Sequence, residues 1–209
     1  METKEYWKEI ATIVLAAIIL GITVSFKNSK IFYAATLSFL IILIINVAMK
    51  KIVGYMLETD VKTKFWTLHQ YGLRKDMHFK KPIPMAWLPL LLVLFTKGLF
   101  LWLGILEFDV TAKTERVSKR HGLYRFTQIT EHHMAWIAMW GIILNLIFAI
   151  GAYILGFELF TKLSIYFIAW SVIPIGRLDG SKILYGGKIK WGIFFTSAML
   201  LLIWALTIF

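Results

Sequence analysis

Cysteine is absent from this 209-residue chain, which excludes disulfides, thiolate zinc sites, iron–sulfur clusters and a thiol nucleophile. Only five histidines remain as soft nitrogen ligands, and only four prolines interrupt the chain. Acidic residues are also scarce, 12 against 23 Lys and Arg, for a formal charge of +11. No G-x-S-x-G, no phosphate-binding glycine loop and no membrane-level Ser and His pair occur, which removes the usual serine-hydrolase and nucleotide-binding readings.

Apolar side chains are in excess: they make up 59% of the chain, more than a soluble core of this size buries. Runs near 7–26, 32–49, 134–156, 161–176 and 190–209 approach the length of about 20 residues that crosses a bilayer as a helix. Lipid leaves no backbone polar group unpaired, and the alternation of a barrel is missing, so the runs are predicted to be helices. The expected fold is an all-α polytopic membrane protein. "METKEYWKEIATIVLAAIILGITVSF" mixes charges before its apolar run and lacks a small-residue cleavage site, so it reads as an uncleaved span. In this setting the basic balance fits cytoplasmic loops facing anionic lipid, and nucleic acid is not expected as a partner.

A sixth stretch, residues 85–108, is split by Lys97-Gly98 into halves too short to span. A lysine at the bilayer centre costs about 2.5–3.5 kcal/mol. Two topologies follow: six spans, or five spans and a re-entrant hairpin. With six, the basic residues divide equally between the two sides and give no orientation. With a hairpin, residues 50–133 lie on one side and only Lys27, Lys30 and Lys162 stand opposite. That bias favours the hairpin, with the N-terminus in the cytoplasm and the plasma membrane as the location. Short runs in "DVKTKFWTLHQYG" and "GLYRFTQIT" predict a small cytoplasmic β region between spans two and three.

Two sites carry polar groups at membrane level. "MWGIILNLIFA" sets Gly141 and Asn145 four residues apart on one helix face, a packing seam or part of a site. "SVIPIGRLDGSKILYGG" ends an apolar run with Pro174, Leu178, Asp179 and Gly180; Asp179 is either a turn residue paired with Arg177 or a carboxylate facing a cavity.

In this order and spacing the two segments resemble the site-2 protease family of intramembrane zinc metalloproteases, over about residues 35–187. That family shows an H-E-x-x-H helix, a later G-P-x-x-N helix and a P-x-x-x-L-D-G helix end whose Asp is the third zinc ligand. Gly141 and Asn145 match the second motif, with Ile142 in place of Pro; Pro174, Leu178, Asp179 and Gly180 match the third. The first motif is missing. "INVAMK" is the nearest counterpart, with Ile45 and Met49 at the histidine positions and Asn46 at the glutamate.

Zinc there needs two His on one helical face and a carboxylate, and the Glu takes a proton from metal-bound water. Ile cannot coordinate, thioether suits zinc poorly and Asn is no base. The resemblance therefore implies a pseudoprotease core over 32–190, with a hairpin at 85–108, flanked by an N-terminal span within 1–31 and a C-terminal span at 191–209. Asn46, Asn145 and Asp179 would form a polar cavity, Asp179 being the one matching ligand, and neither metal nor cofactor is expected. Partners would be lipids and the transmembrane segments of other proteins. Alternatives are an active zinc endopeptidase with ligands among His69, His78, His121, His132 and His133, and a small transporter or lipid-binding protein using Lys97 and the polar patch.

Overall fold

The computed structural model describes residues 2–70, 78–113 and 129–208. Its helices are α1 (Glu2–Ser25), α2 (Phe32–Met56), α3 (Leu88–Phe95), α4 (Glu131–Ile154), α5 (Glu158–Val172), α6 (Asp179–Gly186) and α7 (Lys188–Ile208). Four strands, β1 (Thr59–Phe65), β2 (Thr67–Gln70), β3 (His78–Pro84) and β4 (Leu106–Ala112), lie between α2 and α4. The segment "GLYRFTQIT", apart from its last two residues, and His121 fall outside the described residues.

Among the described residues four helical segments are long and apolar enough to cross a membrane: Tyr6–Ser25, Ser29–Met56, Glu131–Ile154 and Lys188–Thr207. The run expected to span at 161–176 instead gives α5, which has 15 residues and a length of about 22 Å. Pro174 is the reason. It has no N–H to donate, and it drives Ile173 to an extended conformation (φ −67°, ψ 128°) that ends the helix. Length is replaced by burial, because α5 packs between α2, α4 and α7 and hides Leu163, Ile165, Phe167, Ile168 and Ala169.

α1 and α2 run antiparallel. A salt bridge from Lys51 to Glu9 (2.5 Å) ties the end of α2 to the start of α1. Between them Ala16, Ala17 and Leu20 meet Ala35, Phe39, Ile42 and Leu43 in one buried cluster, which also takes in Leu163 and Phe167 of α5. A second cluster joins Val53 of α2, Ile137 and Ile142 of α4, Val172 of α5 and Ile183 of α6.

β1 pairs antiparallel with β4, Thr63 opposite Phe108 and Phe65 opposite Leu106. Thr59, Val61 and Thr63 point inward, while Asp60 and Lys62 point out, the period of two expected of a half-buried strand. β2 pairs with β3, Thr67 opposite Pro84.

Residues 85–108 form no continuous helix, so the version with six helical spans is not the one adopted. α3 has eight residues, the chain reverses at Lys97 (φ +52°) and Gly98 (φ +75°), and residues 99–105 return without regular secondary structure. Two successive left-handed residues make the reversal, and glycine supplies one at no steric cost. Both limbs meet at Trp66: its N–H donates to Ile105 O (2.9 Å), and its carbonyl accepts from Met85 N–H (2.9 Å). The tip reaches the far ends of the helices, where a Cβ on Gly98 would lie 3.0 Å from Lys27 Cε. Lys97 is therefore exposed beside the α1–α2 turn, not held at mid-bundle, and belongs with Lys27 and Lys30 in any charge count.

Non-helical backbone between apolar helices is tolerable only when enclosed by protein. The return limb meets that condition: Leu103, Gly104 and Ile105 are buried, and Leu103 and Ile105 join the cluster of α1, α2 and α5. Trp102 stacks on Trp66 at 5.8 Å and lies tilted by 43° against Trp170 at 4.6 Å, and its indole N–H donates to Gly104 O.

Candidate functional site

α2 presents Asn46 and Lys50 four residues apart on one face, the spacing that aligns side chains along a helix. Across from them, α5 stops at Val172 before Pro174, the chain turns through Gly176 (φ +56°) with the Leu178 N–H donating to Ile175 O (3.1 Å), and Asp179 opens α6. α6 sits close against the end of α5. A Cβ on Gly180 would fall 2.2 Å from Val172 O, so only glycine allows this approach. The result is a buried ion pair, Lys50 Nζ to Asp179 Oδ2 at 2.5 Å, with side chains 7% and 6% exposed. Asp179 thus pairs with Lys50; Arg177 turns to Asp109 (2.7 Å).

The pair borders a cavity of about 20 Å³ lined by Asn46, Lys50, Thr63, Glu107, Ser171 and Asp179, with Gly104 and Ile105 of the return limb along one wall. That volume holds about one water. Among the described residues several buried polar atoms here find no protein partner: Asn46 Nδ2, Thr63 Oγ1, Glu107 Oε2 and Asp179 Oδ1. A small polar guest would satisfy them, since orphaned buried groups cost about 1–3 kcal/mol each.

Gly141 makes room for this arrangement. A Cβ there would lie 3.0 Å from Lys50 Cε and 3.1 Å from Asn46 Nδ2, so α4 supplies a bare backbone wall beneath both side chains. Asn145, one turn along, is 2% exposed with both amide atoms unpartnered, yet it does not line the cavity. Leu178 does line it, and Pro174 and Gly180 shape the approach of α6. Ile45 and Met49 are half-buried and lie off the cavity; the α2 residues facing it are Asn46, Val47 and Lys50.

Outside the helices the charges form a network. Lys64 reaches Asp109 (2.6 Å) and Glu107 (3.2 Å), and Thr67 Oγ1 donates to Glu107 Oε1. Burial alone would raise the Asp109 carboxyl, but the hydrogen bond from Lys64 and the Arg177 charge outweigh it and hold it below the ordinary value. Phe108 is flanked by two ammonium groups, Lys182 Nζ 3.3 Å and Lys50 Nζ 4.8 Å from the ring centre. Lys182 also donates to the Phe108 carbonyl. Burial pushes the Lys182 amine down to about 7, a shift that Asp179 partly opposes and Lys50 reinforces.

Two carboxylates line the cavity: Asp179, whose Oδ2 is occupied by the Lys50 ammonium, and Glu107, whose Oε1 takes Lys64 and Thr67; α2 adds an amide, an aliphatic chain and that same ammonium. Among the described residues no cluster of three or more His, Asp or Glu is placed to hold a metal. His132 accepts from Trp136 Nε1 (2.8 Å), and His133 caps the start of α4 with Thr130. Neither lines the cavity.

Fold and site together define a mostly helical protein with four candidate membrane-spanning helices and two small sheets around a buried ion pair. No protein-family model, curated protein or solved structure matches the chain.

Sequence reasoning overlooked Lys50, Glu107 and Thr63. Lys50 was detectable: it stands four residues after Asn46, the same spacing that singles out Gly141 and Asn145. Thr63 follows exposed Lys62 on β1 and Glu107 sits beside buried Phe108 on β4, and nothing local marks either.

Proposed function

We propose that this chain is a site-2-protease-like membrane protein without catalysis, which holds transmembrane segments of partner proteins and does not cut them. The Lys50–Asp179 ion pair carries the reading. In a metalloprotease of this architecture the carboxylate would bind the metal; here a lysine of the chain neutralises it. Asn46 and Lys50 stand where two ligands on α2 would have to face the cavity, and neither brings an imidazole or a general base. The buried non-helical limb at Leu103–Ile105, beside the cavity, supports the likeness, since such backbone lines the wall of a membrane-level site.

The sheet end carries most of the basic residues, which supports a cytoplasmic sheet end and N-terminus in the plasma membrane, with Lys27, Lys30 and Lys97 outside. Zinc analysis and a cleavage assay on model transmembrane peptides test the proposal together. Protein purified without chelators should carry no stoichiometric zinc and cleave nothing. Cleavage that a chelator stops and Asp179→Ala abolishes would overturn it.

A further inference from the structure

Across β1 from the Asp179 cavity, with Thr63 lining both, the start of α1, the end of α2 and β1 enclose a crevice in two connected parts of about 380 and 480 Å³. Tyr6, Lys51, Asp60 and Val61 line both parts. The walls divide by polarity. Ile52, Tyr55 and Met56 of α2, at the i, i+3, i+4 spacing of one helix face, form an apolar floor and are 54–75% exposed. Above them five lysines, Lys8, Lys51, Lys62, Lys64 and Lys113, face three carboxylates, Glu9, Asp60 and Asp109. Glu9 is engaged by Lys51, and Asp109 by Lys64 and Arg177, which leaves the rim cationic.

We propose that this crevice binds one anionic phospholipid, its phosphate headgroup at the lysine rim and its glycerol end against the apolar surface of Ile52, Tyr55 and Met56. Charge complementarity selects the headgroup. The apolar floor selects a lipid over a free anion, because phosphate alone would leave that floor uncovered. The level is also right: Tyr6, Trp7 and Tyr55 are exposed where two candidate spans reach their ends, the position at which aromatic rings sit at the headgroup layer. Lys113 lies 4.3 Å over the Tyr55 ring and Lys51 lies 5.6 Å from Tyr6, so aromatic faces hold both ammonium groups in place. The inference rests on reading α1 and α2 as spans, not on the chemistry at Asp179. Zinc-dependent cleavage would remove the proposed function and leave this site standing.

Native mass spectrometry of the full chain tests it, with dioleoyl phosphatidylglycerol and dioleoyl phosphatidylcholine added in parallel. Phosphatidylglycerol should bind first, and Lys8→Gln and Lys113→Gln should each weaken it about five-fold, the equivalent of about 1 kcal/mol per lysine near anionic lipid. Lys188→Gln, which lies outside the crevice, should leave binding unchanged, and unfolding temperatures of all three variants show that they are folded. Equal binding of the two lipids, or wild-type affinity in both crevice variants, would overturn the proposal. Displacement of phosphatidylglycerol by an equal concentration of inorganic phosphate would reassign the rim to a soluble anion.

Discussion

Lys50 Nζ and Asp179 Oδ2 lie 2.5 Å apart, joined across 129 residues of sequence, with little solvent on either group. Removing one partner of such a pair strands a charge in the interior, which costs about 3–5 kcal/mol, whereas replacing both with apolar groups of similar volume is close to neutral. Asp179→Ala or Lys50→Met alone should therefore lower the unfolding temperature in detergent sharply. Lys50→Met combined with Asp179→Leu should recover most of the loss. Additive losses in the double variant would show that the pair is not the energetic unit described above.

Which face of α2 meets Asp179 is a second question for mutagenesis. Asn46→His with Lys50→His puts two imidazoles on the cavity face opposite the carboxylate and removes the ammonium that competes for it. That variant should take up near-stoichiometric zinc by elemental analysis. Ile45→His with Met49→His should not, because those positions flank the cavity without lining it. The reverse result would restore the register that the sequence motif suggested.

Much of the fold was legible because lipid imposes a simple rule on composition. Four apolar runs became four helices of spanning length, and the reversal at Lys97-Gly98 was marked by a lysine and a glycine in a run otherwise made of leucine and phenylalanine. Depth was harder to read. Counting residues at the rise of a helix, about 1.5 Å each, placed Lys97 mid-membrane, but residues 99–105 are not helical and run between the tip beside Lys27 and Trp66 in few residues. α5 was overestimated for a related reason, since Ile173 and Ile175 look like helix to a hydropathy window although Pro174 has already ended it. At the site, Asn46 and Asp179 announced themselves as polar groups in apolar surroundings. Lys50 did not, because it follows the run and passes for a solvated terminal lysine until α6 closes over it.

Stability should depend on pH through Lys182. Its amine falls from an ordinary 10.5 to about 7 in the folded chain because burial disfavours the charge. Between those two values the unfolded chain holds a proton that the folded chain releases, so stability rises with pH across that window. Above 10.5 neither state is protonated and the burial cost is gone; below about 7 both are, and the cost is complete. The hydrogen bond to the Phe108 carbonyl survives deprotonation, since a neutral amine still donates. Thermal unfolding in detergent should give a rising melting temperature through the window for the wild type and a flatter profile for Lys182→Met. Asp179, Lys50, Asp109 and Glu107 surround the group, so profiles of the Asp179 variants should shift the window as well.

Two glycines of the suspected motifs should differ in tolerance, because what their missing Cβ atoms would touch differs. At Gly180 the neighbours are carbonyl oxygens, Val172 O at 2.2 Å and Ile173 O at 2.5 Å, which belong to the fixed end of α5. Gly180→Ala must push α6 away and with it Asp179, so the ion pair with Lys50 lengthens and the stranded charges add to the steric cost. At Gly141 the nearest atom is Lys50 Cε at 3.0 Å, in a side chain that can shift by rotation. Gly141→Ala should lower the melting temperature modestly and keep the fold, while Gly180→Ala should give little folded protein by size-exclusion chromatography. Moving the lysine out of the way separates the two further: on a Lys50→Ala, Asp179→Ala background, Gly141→Ala should cost little, whereas Gly180→Ala loses only the electrostatic part of its cost and keeps the steric clash with Val172 O and Ile173 O. Equal tolerance at both positions would mean that α6 is free to move and that the packing of Gly180 against Val172 does not hold Asp179 in place.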